Sequence, residues 1–461
     1  MLKPNYNPNS RNSILRFAKR LEKSSLSKSC GEIPIPSKKN KGNFGNLLEE
    51  FYFGYKPNSN SEADFKEAEL ELKSTPLKQL KNGNWVCKER LVLNIINYID
   101  LPNEDFLNSS FWKKNKNLLL VFYLWNNNQI PIDYVIDLVD VWGFPTKDLK
   151  IIQKDWNSIK SKVENGNAHL ISEGDTFYLG ACTKGSTAEK SLREQPFSHL
   201  LAKQRAYSLK RSYLNTIYET LKGNQGYESI LSEDELELSS IDDLVLRKFK
   251  PFYGLSNLEI QNKLGTLFNR KSKNYFNSIT KRILGVSEDS FIEEFEKANI
   301  TIKSVRIELN GKIKENISFP SFKFEEIIKE DWENSITKDL IENKFLFIFY
   351  KKTKNKNFIL DKSMFWNLSS SDLDEFERVF EITKSIILNG NIVNRISNKG
   401  IVYNNFPKSS GSYLTHIRPH ARNRNDTYPL PIEDRVSKKS EFTKQCFWLN
   451  SSYVERIYNS N

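Results

Sequence analysis

Four patterns occur twice in this chain, in the same order and at nearly constant separation, and that repetition constrains the fold more than any single segment. Lys41-x-x-Phe44-x-x-Leu47 returns as Lys273-x-x-Phe276-x-x-Ile279, and Glu71-Leu72 returns as Glu308-Leu309. The apolar run Leu118-Leu-Leu-Val-Phe-Tyr123 returns as Phe345-Leu-Phe-Ile-Phe-Tyr350. Tyr207-x-Leu-x-x-Ser-Tyr-x-x-x-Ile-Tyr218 returns as Phe447-x-Leu-x-x-Ser-Tyr-x-x-x-Ile-Tyr458. Amphipathic patterning produces one such match by accident, but not four in register. A chain of 461 residues has the length for two or three cores. The expected architecture is therefore α/β: two tandem domains, each a mixed β-sheet flanked by helices. The first spans 1–222 and the second 241–461. Between them, 223–240 reads as an acidic linker, with Gly223, Gly226 and the run Ser232-Glu-Asp-Glu235.

Within the first copy, chemistry concentrates between Asp64 and Lys73. Read as a strand from Ala68, the chain puts Ala68, Leu70 and Leu72 on one face and Glu69, Glu71 and Lys73 on the other. Two carboxylates and a lysine converging at a strand suit metal-dependent phosphodiester hydrolysis. Hard oxygens hold Mg²⁺, which lowers the pKa of water, and a lysine orients that water. On these residues alone, a solvated helical segment with Lys66, Glu67 and Glu71 facing water is an open alternative. A helix over 41–54, with Phe44, Leu47, Leu48 and Phe51 inward, carries Glu49 at the edge of its apolar face. Lys114, in Phe111-Trp-Lys-Lys-Asn-Lys-Asn117, is either solubilising charge or a phosphate contact.

The remaining elements follow from pattern. A loose tail over 1–11 leads to a helix capped by Asn12 or Ser13 and running through Ile14, Ala18 and Leu21. Strands are expected over 90–98 and 117–125, a helix over 147–166 and a hairpin over 168–179. A basic loop with Lys184 and Arg193 then precedes a last helix over 200–221. The formal charge of +12 points to a polyanionic partner. The longest apolar run, 118–125, is too short to cross a bilayer, and no apolar leader opens the chain, so no membrane partner and a cytoplasmic location are expected. Cys30, Cys87, Cys182 and Cys446 are scattered, so neither a zinc site nor a disulfide framework is expected. No catalytic role falls to the histidines.

The copies differ at the polar positions. Glu49 is replaced by Lys281. Aligned on the Glu-Leu pair, Asp64 becomes Thr301 and Lys73 becomes Asn310; aligned on the aromatic strand, Lys114 becomes Ile341. Apolar positions persist while these four change together, which is what loss of one active centre as a unit would leave. The second copy reads as degenerate and pseudo-active.

The first copy resembles the MutH family of DNA endonucleases. The matching residues are Lys41-Gly42-x-x-Gly45-x-Leu-Leu-Glu49, Asp64-Phe65 and Glu71-Leu72-Lys73-x-x-Pro76. The resemblance tightens to GATC-specific restriction enzymes of the Sau-three-A type, through Cys87-Lys-Glu-Arg-Leu-Val-Leu-Asn-Ile-Ile-Asn-Tyr98, Cys182-Thr-Lys-Gly185 and Ala202-Lys-Gln-Arg-Ala-Tyr-Ser-Leu-Lys210. It continues through His416-Ile-Arg-Pro-His420 and Thr443-Lys-Gln-Cys-Phe-Trp448. It implies a restriction-endonuclease-like fold and a type II endonuclease that cuts double-stranded DNA before the G of 5′-GATC-3′, partnered in its system by a DNA methyltransferase. By motif match, Asp64 and Glu71 would hold Mg²⁺, Lys73 would position water, Glu49 would add a carboxylate and Lys114 would lie near the cleavage point. The Lys41-Gly42 loop and the loop around Lys184 would approach DNA. Ser208 stands where mismatch-repair members carry a methyl-sensing tyrosine. In the second copy, Arg418 and His420 stand where the first has Cys182 and Lys184, which suits an allosteric binder of a second DNA site. With one centre per chain, a monomer either turns round between strand cuts or pairs with another chain on DNA. A strand-nicking repair enzyme and a non-catalytic DNA-binding regulator are the alternatives.

Overall fold

Leu118 to Phe122 is apolar without alternation, a pattern stable only in a strand covered on both faces, and every side chain in it is fully buried. The computed structural model, which describes residues 5–31, 33–34, 43–57, 62–80, 82–185, 191–224, 226–355 and 357–460, makes this run the centre of a sheet. The chain divides into two units, Met1–Ile241 with Ser290–Asn299, and Asp242–Asp289 with Ile300–Asn461.

In the first unit the strands are β1 (Glu71–Gln79), β2 (Trp85–Cys87), β3 (Leu91–Ile95), β4 (Asn117–Leu124), β5 (Val135–Gly143), β6 (Leu179–Thr183), β7 (Leu192–Gln195), β8 (Ser198–Lys203), β9 (Arg205–Leu209) and β10 (Tyr227–Glu228). One sheet has the order β2-β1-β4-β5, with β1 parallel and β5 antiparallel to β4. A second, antiparallel sheet has the order β3-β9-β6. After β5 comes the helix Thr146–Glu164, which buries Ile151, Ile152, Trp156, Ile159 and Val163. Its buried Asp155 accepts the amides of Phe177, Tyr178 and Leu179 at 2.8, 2.7 and 2.9 Å and so fixes where β6 begins.

The segment 223–240 is not a linker. It supplies β10 and the helix Glu233–Leu238 to the first unit. The chain later returns to that unit through β11 (Phe291–Ile292), which pairs with β10, and the helix Glu293–Ala298. There the buried Glu294 accepts the amides of Ile230 and Leu231 and the Ser229 hydroxyl. Lys297 places its ammonium 2.8 and 2.9 Å from the two oxygens of buried Asp148, which also accepts the Tyr213 hydroxyl.

The second unit contains β12 (Thr301–Ile307), β13 (Ile317–Ser318), β14 (Phe345–Lys352), β15 (Phe358–Trp366), the hairpin β16 (Val393–Ile396) and β17 (Val402–Asn404), β18 (Thr415–Pro419), β19 (Thr427–Pro429), β20 (Glu441–Thr443) and β21 (Gln445–Leu449). Its sheets β12-β14-β15 and β13-β21-β18 pair with the same polarities as β1-β4-β5 and β3-β9-β6. The helix Ser370–Leu388 follows β15 as Thr146–Glu164 follows β5. The ring of Phe44 sits 4.2 Å from that of Tyr123, and Phe276 sits 4.4 Å from Tyr350.

The ladders correct the residue correspondence expected from the Glu-Leu pairs. Glu71 pairs with Leu118 and Lys73 with Leu120, while Thr301 pairs with Phe345 and Lys303 with Phe347. Thr301 therefore stands at the register of Glu71, and Lys303 at that of Lys73. Glu308 lies past the end of β12 and meets Lys352 at 2.9 Å. A dipeptide is too short to set a strand register; seven ladder pairs do so.

Local boundaries also shift. Ser10, not Asn12 or Ser13, caps the helix Arg11–Ala18, and the described part of the expected tail, from Asn5, is pinned by the Tyr6 hydroxyl on the Phe53 carbonyl. The 41–54 helix is described from Asn43 and opens at Leu48 into a widened π turn, so Tyr52 and Phe53 go inward while Phe51 is only half-buried. Two 3₁₀ turns replace the 168–179 hairpin, and β8 and β9 replace the first half of the 200–221 helix, which begins at Arg211. The fully buried β9 is a central strand, where burial outweighs helical spacing. Among the described residues, no helix is long and apolar enough to cross a membrane.

Asp155→Ala strands three buried amides. It is expected to lower stability by about 3 kcal/mol or more in a urea titration, since each unsatisfied buried donor costs about 1–3 kcal/mol. A midpoint unchanged from wild type would show that the start of β6 is held by packing alone.

Candidate active site

The spacing between Asp64 and Glu71 is explained by a small closed turn. The strand expected from Ala68 begins instead at Glu71. Before it, Lys66–Ala68 forms a 3₁₀ turn and Glu69 takes a left-handed φ of 49°. Phe65 and Leu70 exchange backbone hydrogen bonds at 3.0 and 3.2 Å across this turn. The closure folds Asp64 back onto the strand start. The Asp64 amide donates to Glu71 Oε2 at 3.1 Å, and the Leu72 amide donates to Asp64 Oδ2 at 2.9 Å. Six intervening residues are what this turn consumes.

Glu71 and Lys73 share one face of β1. Lys73 Nζ donates to Glu71 Oε1 at 2.7 Å and contacts the Leu93 carbonyl of β3 at 3.4 Å. Lys114 Nζ stands 3.7 Å from the same carboxylate oxygen. Lys114 rides on the helix Ser110–Asn115, whose start is held by Ser109 accepting the Trp112 amide and Glu104 accepting the Ser110 amide. Glu49 comes from the π turn. Glu49, Asp64, Glu71, Lys73 and Lys114 all line one cavity of about 490 Å³. The structure thus brings together all five residues expected at the catalytic centre. Asp100 and Glu104 also line it and carried no sequence motif.

The carboxylates are crowded. Burial, then the charges of Glu71 and Glu49, push Asp64 up to about 7 against the opposing Leu72 amide and Lys73. Glu49 is raised chiefly by burial, partly offset by Lys73 and Lys114. Tyr55, which sequence reasoning missed, follows the π turn with its amide on the Glu49 carbonyl at 3.1 Å. Its buried hydroxyl has no hydrogen-bond partner among the described residues. Burial, followed by the negative charges of Asp64, Glu49 and Glu71, drives its pKa far above the usual phenol range. Only its place just after the helix-ending Gly54 hinted at it.

Hard carboxylate oxygens are the donors that Mg²⁺ takes, and a divalent cation would relieve the repulsion that raises Asp64. Among the described residues, no three His, Cys, Asp or Glu side chains stand close enough to enclose a metal. Asp64 and Glu71 would therefore hold one with water and phosphate oxygens completing its shell.

The residues expected at DNA are dispersed. Lys41 and Gly42 lie outside the described residues. Lys184 follows β6 and is half-buried. Ser208 is inside the protein, with no exposed surface and its hydroxyl beside Gly180 and the Cys182 thiol, so the expectation of a DNA-facing Ser208 is not met. Its strand is central and covered on both faces. In the second unit, Arg418 and His420 are exposed at the end of β18. The Arg418 guanidinium lies 4.9 Å over the Trp448 ring, which His420 meets edge-on at 5.6 Å. Arg418 pairs with Cys446 as Cys182 pairs with Ala206, so both occupy the same ladder position.

A family model described as the DNA mismatch repair enzyme MutH matches residues 53–155, a stretch holding Asp64, Glu71, Lys73 and Lys114. Over 457 residues the chain is 34% identical to the type II restriction enzyme Sau3AI of Staphylococcus aureus, covering 91% of this chain and 92% of that protein.

The folded Asp64 carboxyl binds its proton more tightly than the unfolded one, whose pKa is about 3.9. The resulting stabilisation is full below about pH 4 and is lost as pH rises through about 7. With chelator present, the thermal midpoint is expected to fall between about pH 4 and 7, and Asp64→Asn to flatten that fall. An identical fall in Asp64→Asn would place the titrating group elsewhere.

Proposed function

The chain belongs to the Sau3AI family of type II restriction enzymes and is a site-specific deoxyribonuclease; from that premise we propose that it cuts double-stranded DNA before the G of 5′-GATC-3′, with Mg²⁺ held by Asp64 and Glu71. The convergence of Asp64, Glu71, Lys73, Lys114 and Glu49 on one cavity carries this reading. The bound ion would supply charge neutralisation at the phosphate and a lowered pKa for water. Lys73, fixed between Glu71 and the Leu93 carbonyl, donates a hydrogen bond to the attacking water and aims it at phosphorus. Lys114 offsets the charge that grows on the phosphate oxygens. Glu49 adds negative potential at the ion. A DNA methyltransferase in the same system would protect host sites.

In this reading the second unit is a degenerate copy. Its sheets repeat the polarities of the first, yet Thr301 stands at the register of Glu71. Arg418, stacked on Trp448, can make a bidentate contact to guanine that Cys182 cannot. The second unit then binds a second GATC duplex and acts as an effector. One centre per chain requires that the enzyme turn round between cuts or meet a second chain on the site.

Glu71→Ala, Asp64→Ala and Lys73→Ala are each expected to abolish cleavage while leaving duplex binding within about threefold, because these residues serve the ion and the water rather than DNA affinity. Sequencing the ends from a digested plasmid library reports activity, site and overhang together. Persistent Mg²⁺-dependent cutting by Glu71→Ala would refute the assignment.

A plasmid with two sites is expected to be cut faster than one with a single site, and added site-bearing duplex to stimulate the latter. Arg418→Ala should remove both effects, consistent with a coupling of about 1–3 kcal/mol. Equal wild-type rates with no stimulation would reduce the second unit to a scaffold.

A further inference from the structure

At the register where the first unit holds its carboxylate, the second unit has become basic. Thr301 removes the negative charge, but Lys303 keeps the position of Lys73. Among the described residues Lys303 has no carboxylate within ion-pair distance, and burial holds its pKa below the usual lysine range. It lines an open cavity of about 590 Å³ together with Ser304, Arg306, Arg270 and Lys273. The cavity's one carboxylate, Glu315, is held by the Arg306 guanidinium. The buried Ser304 hydroxyl has no hydrogen-bond partner among the described residues. The opposite wall is the opening turn of the helix Tyr275–Leu284, whose cap residue Asn274 makes no side-chain capping bond.

Each component favours an anion. Beyond the Tyr275 amide, which donates to the Ser272 carbonyl at 3.2 Å, an uncapped helix start presents amides without helical acceptors and the positive end of the peptide dipoles. A desolvated lysine without a counter-ion gains from any negative charge it can meet. A hydroxyl without an acceptor is ready to donate. Four cationic side chains around the cavity exclude a divalent metal of the kind proposed for the first unit. We propose that this cavity is a phosphate-binding site, with Lys303 and Lys273 as charge partners and Ser304 and the helix amides as donors. The phosphate belongs either to the backbone of a DNA duplex or to a free phosphate or nucleotide. The site does not require the effector reading; if its phosphate is a DNA phosphate, it gives that reading an anchor away from Arg418.

The test uses the full chain and two probes, inorganic phosphate by calorimetry and a short duplex lacking GATC by fluorescence anisotropy at several salt concentrations. The variants are Lys303→Met, Ser304→Ala and the exposed control Lys351→Met, with thermal midpoints measured for each. Lys303→Met removes an unpaired half-buried charge and is expected to fold at least as stably as wild type. It should weaken one probe by about tenfold or more, and Ser304→Ala by less, with Lys351→Met unchanged. Loss of inorganic phosphate binding identifies a free phosphate as the ligand. Loss confined to the duplex, with a salt slope smaller by about one, identifies a backbone phosphate. Wild-type affinity for both probes in Lys303→Met overturns the site, as does a wild-type chain that binds neither. A chain that binds phosphate through Lys303 but no duplex through Arg418 keeps this site and loses the effector reading.

Discussion

The parallel pairing of β1 on β4 is the constraint on which the candidate site depends. Parallel ladders are stable when both faces are covered, and β4 is buried throughout its apolar run. Because β4 cannot slip without exposing that run, the register of β1 is fixed, and Glu71 is locked into a nearly solvent-free position beside Leu118. A carboxylate so placed needs compensation. Lys73 and Lys114 provide it from two different elements, and the Asp64 amide adds a third contact. Glu71 and Lys73 are held by the same ladder that builds the core.

The sequence disclosed this centre well because each of its parts leaves a short-range signature. Alternation places Glu71 and Lys73 on one face, and the Asp64 spacing reflects a turn that closes locally. The apolar run 118–122 declared β4 by its lack of alternation. Other features depended on distant partners and were hidden. The Ser208 side chain is buried because β9 lies between β3 and β6, a fact of sheet order that no window of sequence contains. Tyr55 follows a π turn, whose extra residue per turn defeats a 3.6-residue count. The false pairing of Glu71 with Glu308 arose from a dipeptide identity that the strand ladders overrule.

Between the two units, architecture is shared while electrostatics are not. Both hold a parallel strand against an aromatic or aliphatic central strand, with an antiparallel third, and both place an aromatic ring from the preceding helix on a central-strand tyrosine. Apolar contacts of that kind tolerate change in neighbouring polar groups, because packing depends on shape and area. At the register of buried Glu71 the second unit has a threonine, while a lysine again occupies the position of Lys73.

The return of the chain over Ser290–Asn299 bears on how the protein is made. Asp148, deep in the first unit, has its cationic partner at Lys297, and the turn at Ile230 and Leu231 is closed by Glu294. During synthesis, chains fold from the N-terminus as they emerge. Here the first unit cannot be completed until the ribosome has passed Asn299, well after the opening helices of the second unit have emerged. The first unit therefore matures late. A message broken before that point yields a fragment with an unpaired buried aspartate in place of a finished DNA-cutting enzyme.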